Sequence, residues 1–217
     1  MNKIKIFIAD DHPIVYAGLK NIFSDEKNFE ISGTASNIND AIDGISKCSP
    51  HLLITDLNFN GINSGLDFIR SAKKRYPELK ILAISMLDED VYAERAAKAG
   101  ASGYVMKSEL TGKIVSAVRE VMRDRVFFNP SILSKIVGTL QGKPETVNEN
   151  PESFSNRELQ VFELLAAGSS AKEISDKLTL SPKTIDTYKS RLREKLNLET
   201  NSELVKYAIK WFQDGPK

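Results

Sequence analysis

The stretch KIKIFIADDHP, residues 3–13, decides how the first half of the chain folds. Apolar and charged residues alternate at its start, and Ile8 and Ala9 then lead directly into two adjacent carboxylates, Asp10 and Asp11. Adjacent carboxylates repel each other and gain nothing from packing. In an open sheet of parallel strands, ligands bind at the carboxyl ends of the strands. The stretch therefore indicates a strand that ends at a binding site.

Four further apolar runs of strand length follow, and segments with helical periodicity separate them. The five runs are IKIFIA, FEISGTA, HLLITDL, KILAIS and GYVMK. Runs with little alternation are typical of strands that are covered on both faces. The repeated β-α alternation predicts an α/β domain over residues 1–124, a parallel five-stranded sheet with helices on both faces. We expect the flavodoxin-like strand order 2-1-3-4-5.

Polar residues stand at the ends of the later strands as well. Asp56 ends the third run, Ser85 ends the fourth, and Lys107 ends the fifth. With that strand order these ends are neighbours, so three carboxylates meet one hydroxyl and one ammonium group. Converging carboxylates require a cation, and hard oxygen ligands favour Mg²⁺.

Two alternatives to a magnesium site exist at this end of the first strand. One of the two aspartates could cap a helix that begins at Pro13, but capping explains only one carboxylate. His12 could be a ligand in a transition-metal site. Its side chain is expected to project from a loop or a first helical turn, and no second histidine is nearby, so this is disfavoured.

The whole set resembles the receiver domain of two-component response regulators, from residue 3 to about residue 124. The resemblance rests on the acidic pair, on Asp56 in DLN, on Ser85 in AISM and on Lys107 in GYVMK, all in the right order. It implies phosphorylation by a histidine kinase. The resemblance implies that Asp56 accepts the phosphoryl group and that Lys107 and Ser85 contact it. It implies that Mg²⁺ is bound by Asp11, Asp56 and the Asn58 backbone carbonyl, and by Asp10 through water. It also implies that Tyr104 is an aromatic rotamer switch; the alternative is that Tyr104 only packs at the strand edge.

The sequence departs from that family in two places. Phe59 and Asn60 stand where the family commonly has Met-Pro, and the loop is one residue longer before Gly65. Ser108 follows Lys107, where proline is frequent. A cis peptide bond at a non-proline residue would cost about 3–4 kcal/mol.

The βα pattern ends near residue 124, and residues 125–151 are interpreted as a linker. SILSKIVGTL is compatible with a short helix within it. The segment QGKPETVNENPES combines proline, glycine and polar residues without apolar periodicity, which is typical of a linker.

Residues 152–217 predict a small all-α domain. Ser155 and Glu158 form a capping box, and Gly168 ends the first helix. A short helix covers 171–178, and Ser181-Pro182 begins another. The apolar side of this last helix carries Ile185, Tyr188, Leu192 and Leu196. The short turn between the helix at 171–178 and the helix that begins at Ser181-Pro182 makes the two a helix-turn-helix.

The opposite side of that helix is a candidate DNA-binding surface. The segment SPKTIDTYKSRLREK, residues 181–195, holds five basic and two acidic residues. The candidate contacts are Lys183, Thr184, Asp186, Thr187, Ser190 and Arg191; a solvated amphipathic helix is the alternative. Residues 154 to about 212 resemble the LuxR-type domain of the NarL/FixJ family, which implies insertion of this helix into the major groove of promoter DNA. Ala171 and Tyr188 depart from the family, which often has Asn and His there.

Composition excludes some classes of protein. The formal net charge is +1, and no apolar run is long enough to span a membrane. The N-terminus lacks the features of a signal peptide. Cys48 is the only cysteine, so no internal disulfide can form, and we expect a cytoplasmic protein.

These observations together predict a phosphorylation-controlled transcription factor rather than a turnover enzyme. We expect phosphorylation to favour a homodimer through the face formed by helix 4, strand 5 and helix 5, near Tyr104. Two alternatives differ in class. Phosphohydrolases with an aspartate nucleophile place it after the first strand, with a second aspartate two residues on, whereas Asp10 and Asp11 are adjacent. A scaffold that is never phosphorylated predicts loss of an acidic residue or of Lys107.

Overall fold

The computed structural model describes residues 3–59, 61–62, 64–140 and 151–214. The chain divides into two compact units, Met1–Lys143 and Pro144–Lys217, and each is described by itself. Most of the segment predicted as an irregular linker, residues 141–150, lies outside the described residues.

The first unit is a five-stranded parallel sheet with the order β2-β1-β3-β4-β5, so the predicted topology is confirmed. The strands are β1 Ile4–Ala9, β2 Phe29–Ala35, β3 Leu52–Asp56, β4 Lys80–Ser85 and β5 Gly103–Met106. The helices are α1 Pro13–Ser24, α2 Ile38–Cys48, α3 Gly65–Arg75, α4 Glu89–Ala99, α5 Leu110–Val121 and α6 Pro130–Leu140.

The central strands are the most deeply buried part of this unit. Every residue of β3 is buried, which explains why its sequence shows no alternation. On one face of the sheet, Ile8, Ile54 and Ile84 pack against apolar residues of α1 and α5. The remaining helices α2, α3 and α4 form a neighbouring series. The rigid sheet therefore fixes where the carboxyl ends of β1, β3, β4 and β5 lie.

The first unit continues beyond the boundary predicted at residue 124. Phe127 lies parallel to β5: its N–H donates to the Ser102 carbonyl, and its carbonyl accepts from the Tyr104 N–H, each at 2.9 Å. The helix α6 then packs against α4 and buries Ile132 completely. We call residues 126–140 the strap. The chain extends the first unit because the open edge of β5 and the apolar side of α4 both gain a partner.

The Lys107–Ser108 peptide bond is trans, and the chain continues from it through a short 3-10 turn, Lys107–Glu109, into α5. The serine that replaces the frequent proline therefore carries no cis bond.

The second unit consists of four described helices, α7 Asn156–Ala166, α8 Ala171–Leu178, α9 Pro182–Lys195 and α10 Asn201–Asp214. The predicted capping box at Ser155 and Glu158 is confirmed, and Ser170 and Glu173 form a second one at α8. Ser181 caps α9, with Pro182 as its first residue, as predicted. Both helices of the helix-turn-helix thus begin with side-chain hydrogen bonds to otherwise unpaired N–H groups.

The apolar side of α9 is buried as expected at three of four positions. Ile185, Leu192 and Leu196 are buried, but Tyr188 is only partly so, which corrects the prediction. A tyrosine combines an apolar ring with a polar hydroxyl, so it can lie at the margin of a core with one end in water.

Among the described residues, no helix has both the length and the apolar character needed to cross a membrane.

Candidate phosphoryl-acceptor cleft and helix-turn-helix

Asp56 is the last residue of β3, and its side chain lies at the bottom of a cleft at the sheet edge. The residue is 1% exposed. One carboxylate oxygen, Oδ1, accepts hydrogen bonds from the N–H groups of Leu57 at 2.7 Å and Asn58 at 3.1 Å. The other oxygen, Oδ2, lies 2.6 Å from the ammonium nitrogen of Lys107. The backbone therefore fixes one oxygen while the second remains directed at a cation.

Lys107 joins two carboxylates of the cleft. It directly follows β5, and its Nζ also lies 2.8 Å from Asp10 Oδ2, where both side chains are almost fully buried. Burial raises the pKa of Asp56, and Lys107 and the Asn58 N–H oppose that rise. Burial alone would lower the pKa of Lys107, but its hydrogen bonds to Asp10 and Asp56 outweigh burial and raise it. The ammonium group thus stays charged beside Asp56.

The acidic pair lies beside Asp56 in the same cleft. Asp10 is buried, and its Oδ1 accepts a hydrogen bond from the His12 N–H at 2.8 Å. The helix α1 begins at Pro13, so the residue in the capping position is His12, and its side chain makes no capping hydrogen bond. Neither aspartate is therefore the N-cap, and capping does not account for the pair.

The imidazole of His12 lies over the cleft. Its Nδ1 is 2.8 Å from Asp11 Oδ1, 3.1 Å from Asp10 Oδ1 and 3.8 Å from Asp56 Oδ2. The sequence does not predict this position of the ring. Its direction depends on the backbone of the turn, and the sequence pattern does not contain that information.

Ligand atoms of four residues in the cleft, Asp10, Asp11, His12 and Asp56, all lie within 4.8 Å of one another. Three are carboxylates, the ligand type that Mg²⁺ prefers, and the cleft is open on its His12 side, where that side chain is 57% exposed. The residues present therefore fit a divalent cation. Asn58, the fourth predicted ligand residue, follows β3 at the same edge.

Ser85 and Tyr104 connect this edge to the start of α4. Ser85 is fully buried at the end of β4, and its hydroxyl accepts a hydrogen bond from the Leu87 N–H at 3.1 Å. Tyr104 is 2% exposed, and its hydroxyl donates to the Leu87 carbonyl at 2.7 Å. Burial raises the pKa of Tyr104, partly offset by a hydrogen bond with Ser85. The phenol therefore remains a donor to this loop.

The loop after β3 depends on a close backbone approach at Gly65. The Gly65 N–H donates to the Leu57 carbonyl at 2.9 Å, and a Cβ on Gly65 would meet the Asp56 carbonyl oxygen at 2.5 Å and the Leu57 Cα as well. Phe59 and Ile62 pair across the loop. Asn60, one of the two residues that depart from the family, lies outside the described residues.

In the second unit, the structure exposes most of the predicted DNA contacts on α9. The exposed ones are Lys183, Asp186, Thr187, Ser190 and Arg191. Thr184 is partly buried, and its hydroxyl lies 2.8 Å from the hydroxyl of Ser181. Thr184 therefore belongs to the cap of α9 as much as to its exposed surface.

Sequence reasoning missed an ion pair that uses one of the basic residues of this segment. The Nζ of Lys195 lies 2.7 Å from Oε2 of the buried Glu158, which joins the end of α9 to the start of α7. Burial would raise the pKa of Glu158, but the hydrogen bonds from Lys195 and Ser155 lower it overall. Lys195 therefore serves the domain's own packing. The sequence does not show this role of Lys195, because it depends on how α7 and α9 pack together.

Comparison with known families accounts for both units. Residues 6–119 match the family described as response regulator receiver domain, and residues 152–208 match the bacterial regulatory proteins of the luxR family. The chain is a response regulator. The family comprises transcription regulators, and its members are not classified as enzymes with turnover.

Relatives match this response regulator over nearly its whole length. The oxygen regulatory protein NreC of Staphylococcus carnosus is 33% identical over 211 residues, which cover 95% of this chain and 97% of the relative. The response regulator GacA of Pseudomonas syringae pv. syringae is 30% identical, with 95% and 96% covered. A solved structure of RcsB from Salmonella enterica serovar Typhimurium, bound to the promoter rprA in the presence of phosphomimetic BeF₃⁻, has a TM-score of 0.70 at 25% identity, with 95% and 98% covered.

Proposed function

We propose that this response regulator accepts a phosphoryl group on Asp56 from a histidine kinase, in the cytoplasm, and that this change controls its dimerisation and its binding to promoter DNA. The observation that carries the proposal is the environment of Asp56. Its carboxylate is buried at a strand end, one oxygen is held by two N–H groups, and the other faces Lys107 beside a second buried aspartate.

The residues of the cleft suit phosphoryl transfer to a carboxylate. A carboxylate is a weak nucleophile, so the barrier must fall mainly through positioning and neutralisation of charge. Mg²⁺ held by Asp10, Asp11, Asp56 and the Asn58 carbonyl would supply positive charge where the phosphoryl oxygens lie. Lys107 would exchange its ion pair with Asp56 for one with the phosphoryl group.

The signal would leave the cleft through Ser85. Its hydroxyl, which accepts from Leu87 N–H at present, would donate to the new phosphoryl oxygens and draw the loop before α4 inward. Tyr104 donates to the same loop at Leu87 and would follow its movement. Tyr104 would thereby act as the rotamer switch, rather than only packing at the strand edge.

Dimerisation through the α4–β5–α5 face has to involve the strap, because the strap pairs with β5 and packs against α4. Its hold on α4 includes a hydrogen bond from the Asn129 N–H to Glu89 at 3.3 Å, in the first turn of α4. Movement of that turn would break this hydrogen bond, so the packing of the strap against α4 would weaken when the loop before α4 shifts.

The Ile132→Ser variant is expected to dimerise at a lower protein concentration than the unchanged chain, because a hydroxyl in this fully buried position weakens the packing of α6 on α4. Light scattering with and without acetyl phosphate and Mg²⁺ measures it. Val137→Ser, on the exposed side of the same helix, is the control and should behave like the unchanged chain. Equal masses for all three proteins in both conditions would show that the strap does not control dimerisation.

DNA binding is assigned to the exposed side of α9. The buried residues Ile185 and Leu192 fix the rotation of this helix, so its opposite side faces outward with Lys183, Thr187 and Arg191. In a helix-turn-helix the N-terminal part of that side enters the major groove. The structurally similar RcsB bound to a promoter supports the same use here.

Substitutions on α9 should separate phosphate contacts from base contacts. Lys183→Ala is expected to weaken binding to all sequences about equally and to reduce the salt slope by about one. Replacing Thr187 or Ser190 by alanine should cost roughly 1–3 kcal/mol on the preferred site and little on random DNA. Titrations at two salt concentrations measure both effects.

The same titrations include Arg191→Ala and, as a control, Lys210→Ala on α10. In a dimer, two copies of α9 would read half-sites about 10 base pairs apart. Unchanged binding by all four α9 variants would mean that another surface reads the DNA.

A further inference from the structure

His12 is placed at the cleft but has no role in the proposed transfer. Its Nδ1 lies 2.8 Å from an oxygen of Asp11 and 3.1 Å from an oxygen of Asp10. Lys107 Nζ, at 3.4 Å from Nδ1, and Asp56 Oδ2, at 3.8 Å, also face the ring. The imidazole therefore shares the space that the carboxylates enclose.

The backbone holds the ring in this place. His12 precedes Pro13, which restricts it to an extended conformation, and it has φ −99° and ψ 106°. Its own N–H donates to Asp10 Oδ1, the same oxygen that Nδ1 approaches. The turn between β1 and α1 thus presents the imidazole and the two carboxylates together.

The spacing of these atoms suits ligands of one metal ion. Two ligands at right angles, each about 2.1 Å from a metal, are about 3.0 Å apart. The distances from Nδ1 to Asp11 Oδ1 and Asp10 Oδ1 bracket that value, and Asp56 Oδ2 lies further away at 3.8 Å. The cleft therefore offers one nitrogen among its oxygen donors.

We propose that His12 is a metal ligand in this cleft and shifts its preference from Mg²⁺ toward divalent transition-metal ions such as Co²⁺, Ni²⁺ and Zn²⁺. Imidazole nitrogen is a good ligand for those ions, whereas Mg²⁺ prefers oxygen. The inference rests on the metal site of the proposed function. It adds a ligand and a selectivity that three carboxylates alone would not give.

A competing interpretation makes different predictions. If the ring only fills the cleft as a hydrogen-bonding partner of Asp10 and Asp11, its removal frees the carboxylates for every divalent ion alike. If the ring is a ligand, its removal lowers the affinity for the transition-metal ion and leaves the affinity for Mg²⁺ nearly unchanged. The ratio of the two affinities therefore separates the two roles.

The experiment is calorimetric titration of the full chain with CoCl₂ and, separately, with MgCl₂. His12→Ala is expected to lower the affinity for Co²⁺ by about tenfold or more while the affinity for Mg²⁺ changes by less than about twofold. The visible absorption of bound Co²⁺ should change as well, because a nitrogen ligand is lost. His51→Ala is the matched control: that second histidine accepts a hydrogen bond from the Lys5 N–H, at the opposite end of β1.

Equal changes for both ions in His12→Ala, or an unchanged Co²⁺ spectrum, would overturn the inference and leave the proposed function intact. If the unchanged chain binds neither ion, or if Asp11→Asn binds both as well as the unchanged chain, the metal site of the proposed function fails too. A loss of Co²⁺ affinity in His51→Ala equal to that in His12→Ala would also overturn the inference.

Discussion

The Asp56→Asn variant is expected to take up no phosphoryl group from acetyl phosphate in the presence of Mg²⁺. An amide cannot act as the nucleophile. Among the described aspartates, Asp56 alone is buried at a strand end with one oxygen bound by two N–H groups and the other paired with an ammonium group. Intact-protein mass spectrometry measures the uptake directly. The unchanged chain should gain the mass of one phosphoryl group.

The same substitution at Asp67 provides the control. Asp67 is an exposed residue of α3 whose carboxylate pairs with Arg70, so Asp67→Asn removes a carboxylate without touching the cleft. Asp67→Asn should be phosphorylated like the unchanged chain. Phosphoryl uptake by Asp56→Asn at the full rate would show that the acceptor is another residue.

Gly65→Ala is expected to destabilise the receiver and to slow its phosphorylation. The added Cβ would meet the carbonyl oxygen of Asp56 at 2.5 Å, and a backbone atom cannot move aside as a flexible side chain can. Relief of this overlap must shift the start of α3 or the backbone beside the acceptor. Overpacking of this kind typically costs about 1–3 kcal/mol.

Gly112→Ala is the matched control, because Gly112 lies within α5 and a Cβ there would have nothing within 4 Å. Replacing a glycine inside a helix by alanine should raise the free energy of unfolding by about 0.5–1 kcal/mol. Denaturant unfolding and the rate of phosphoryl uptake measure both variants. If Gly65→Ala matched Gly112→Ala in stability and rate, the close approach at the acceptor loop would have no importance.

The sequence predicted the features that local rules determine. The five strands follow from five apolar runs, and their ends carry Asp10, Asp56, Ser85 and Lys107, which cluster once the expected flavodoxin-like strand order brings those ends together. The start of α9 at Ser181-Pro182 follows from capping, because the side chain of a residue next to the helix satisfies its first N–H groups.

Features that depend on distant contacts were not predictable. The strap joins Phe127 to β5, but its own sequence carries only the signal of a linker with a short helix. The pair between Glu158 and Lys195 spans two helices, and both residues look like ordinary surface charges in the sequence. The direction of the His12 ring is set by the turn before Pro13, and the degree of burial of Tyr188 by neighbouring helices.

The proposed function requires that the phosphorylation state of Asp56 controls DNA binding. The most direct test measures the affinity of the full chain for its preferred promoter site, found by footprinting, before and after treatment with acetyl phosphate and Mg²⁺, with Asp56→Asn in parallel. We expect tighter binding after treatment of the unchanged chain and no response in Asp56→Asn. An equal affinity before and after treatment, in a sample that mass spectrometry shows to be phosphorylated, would contradict it.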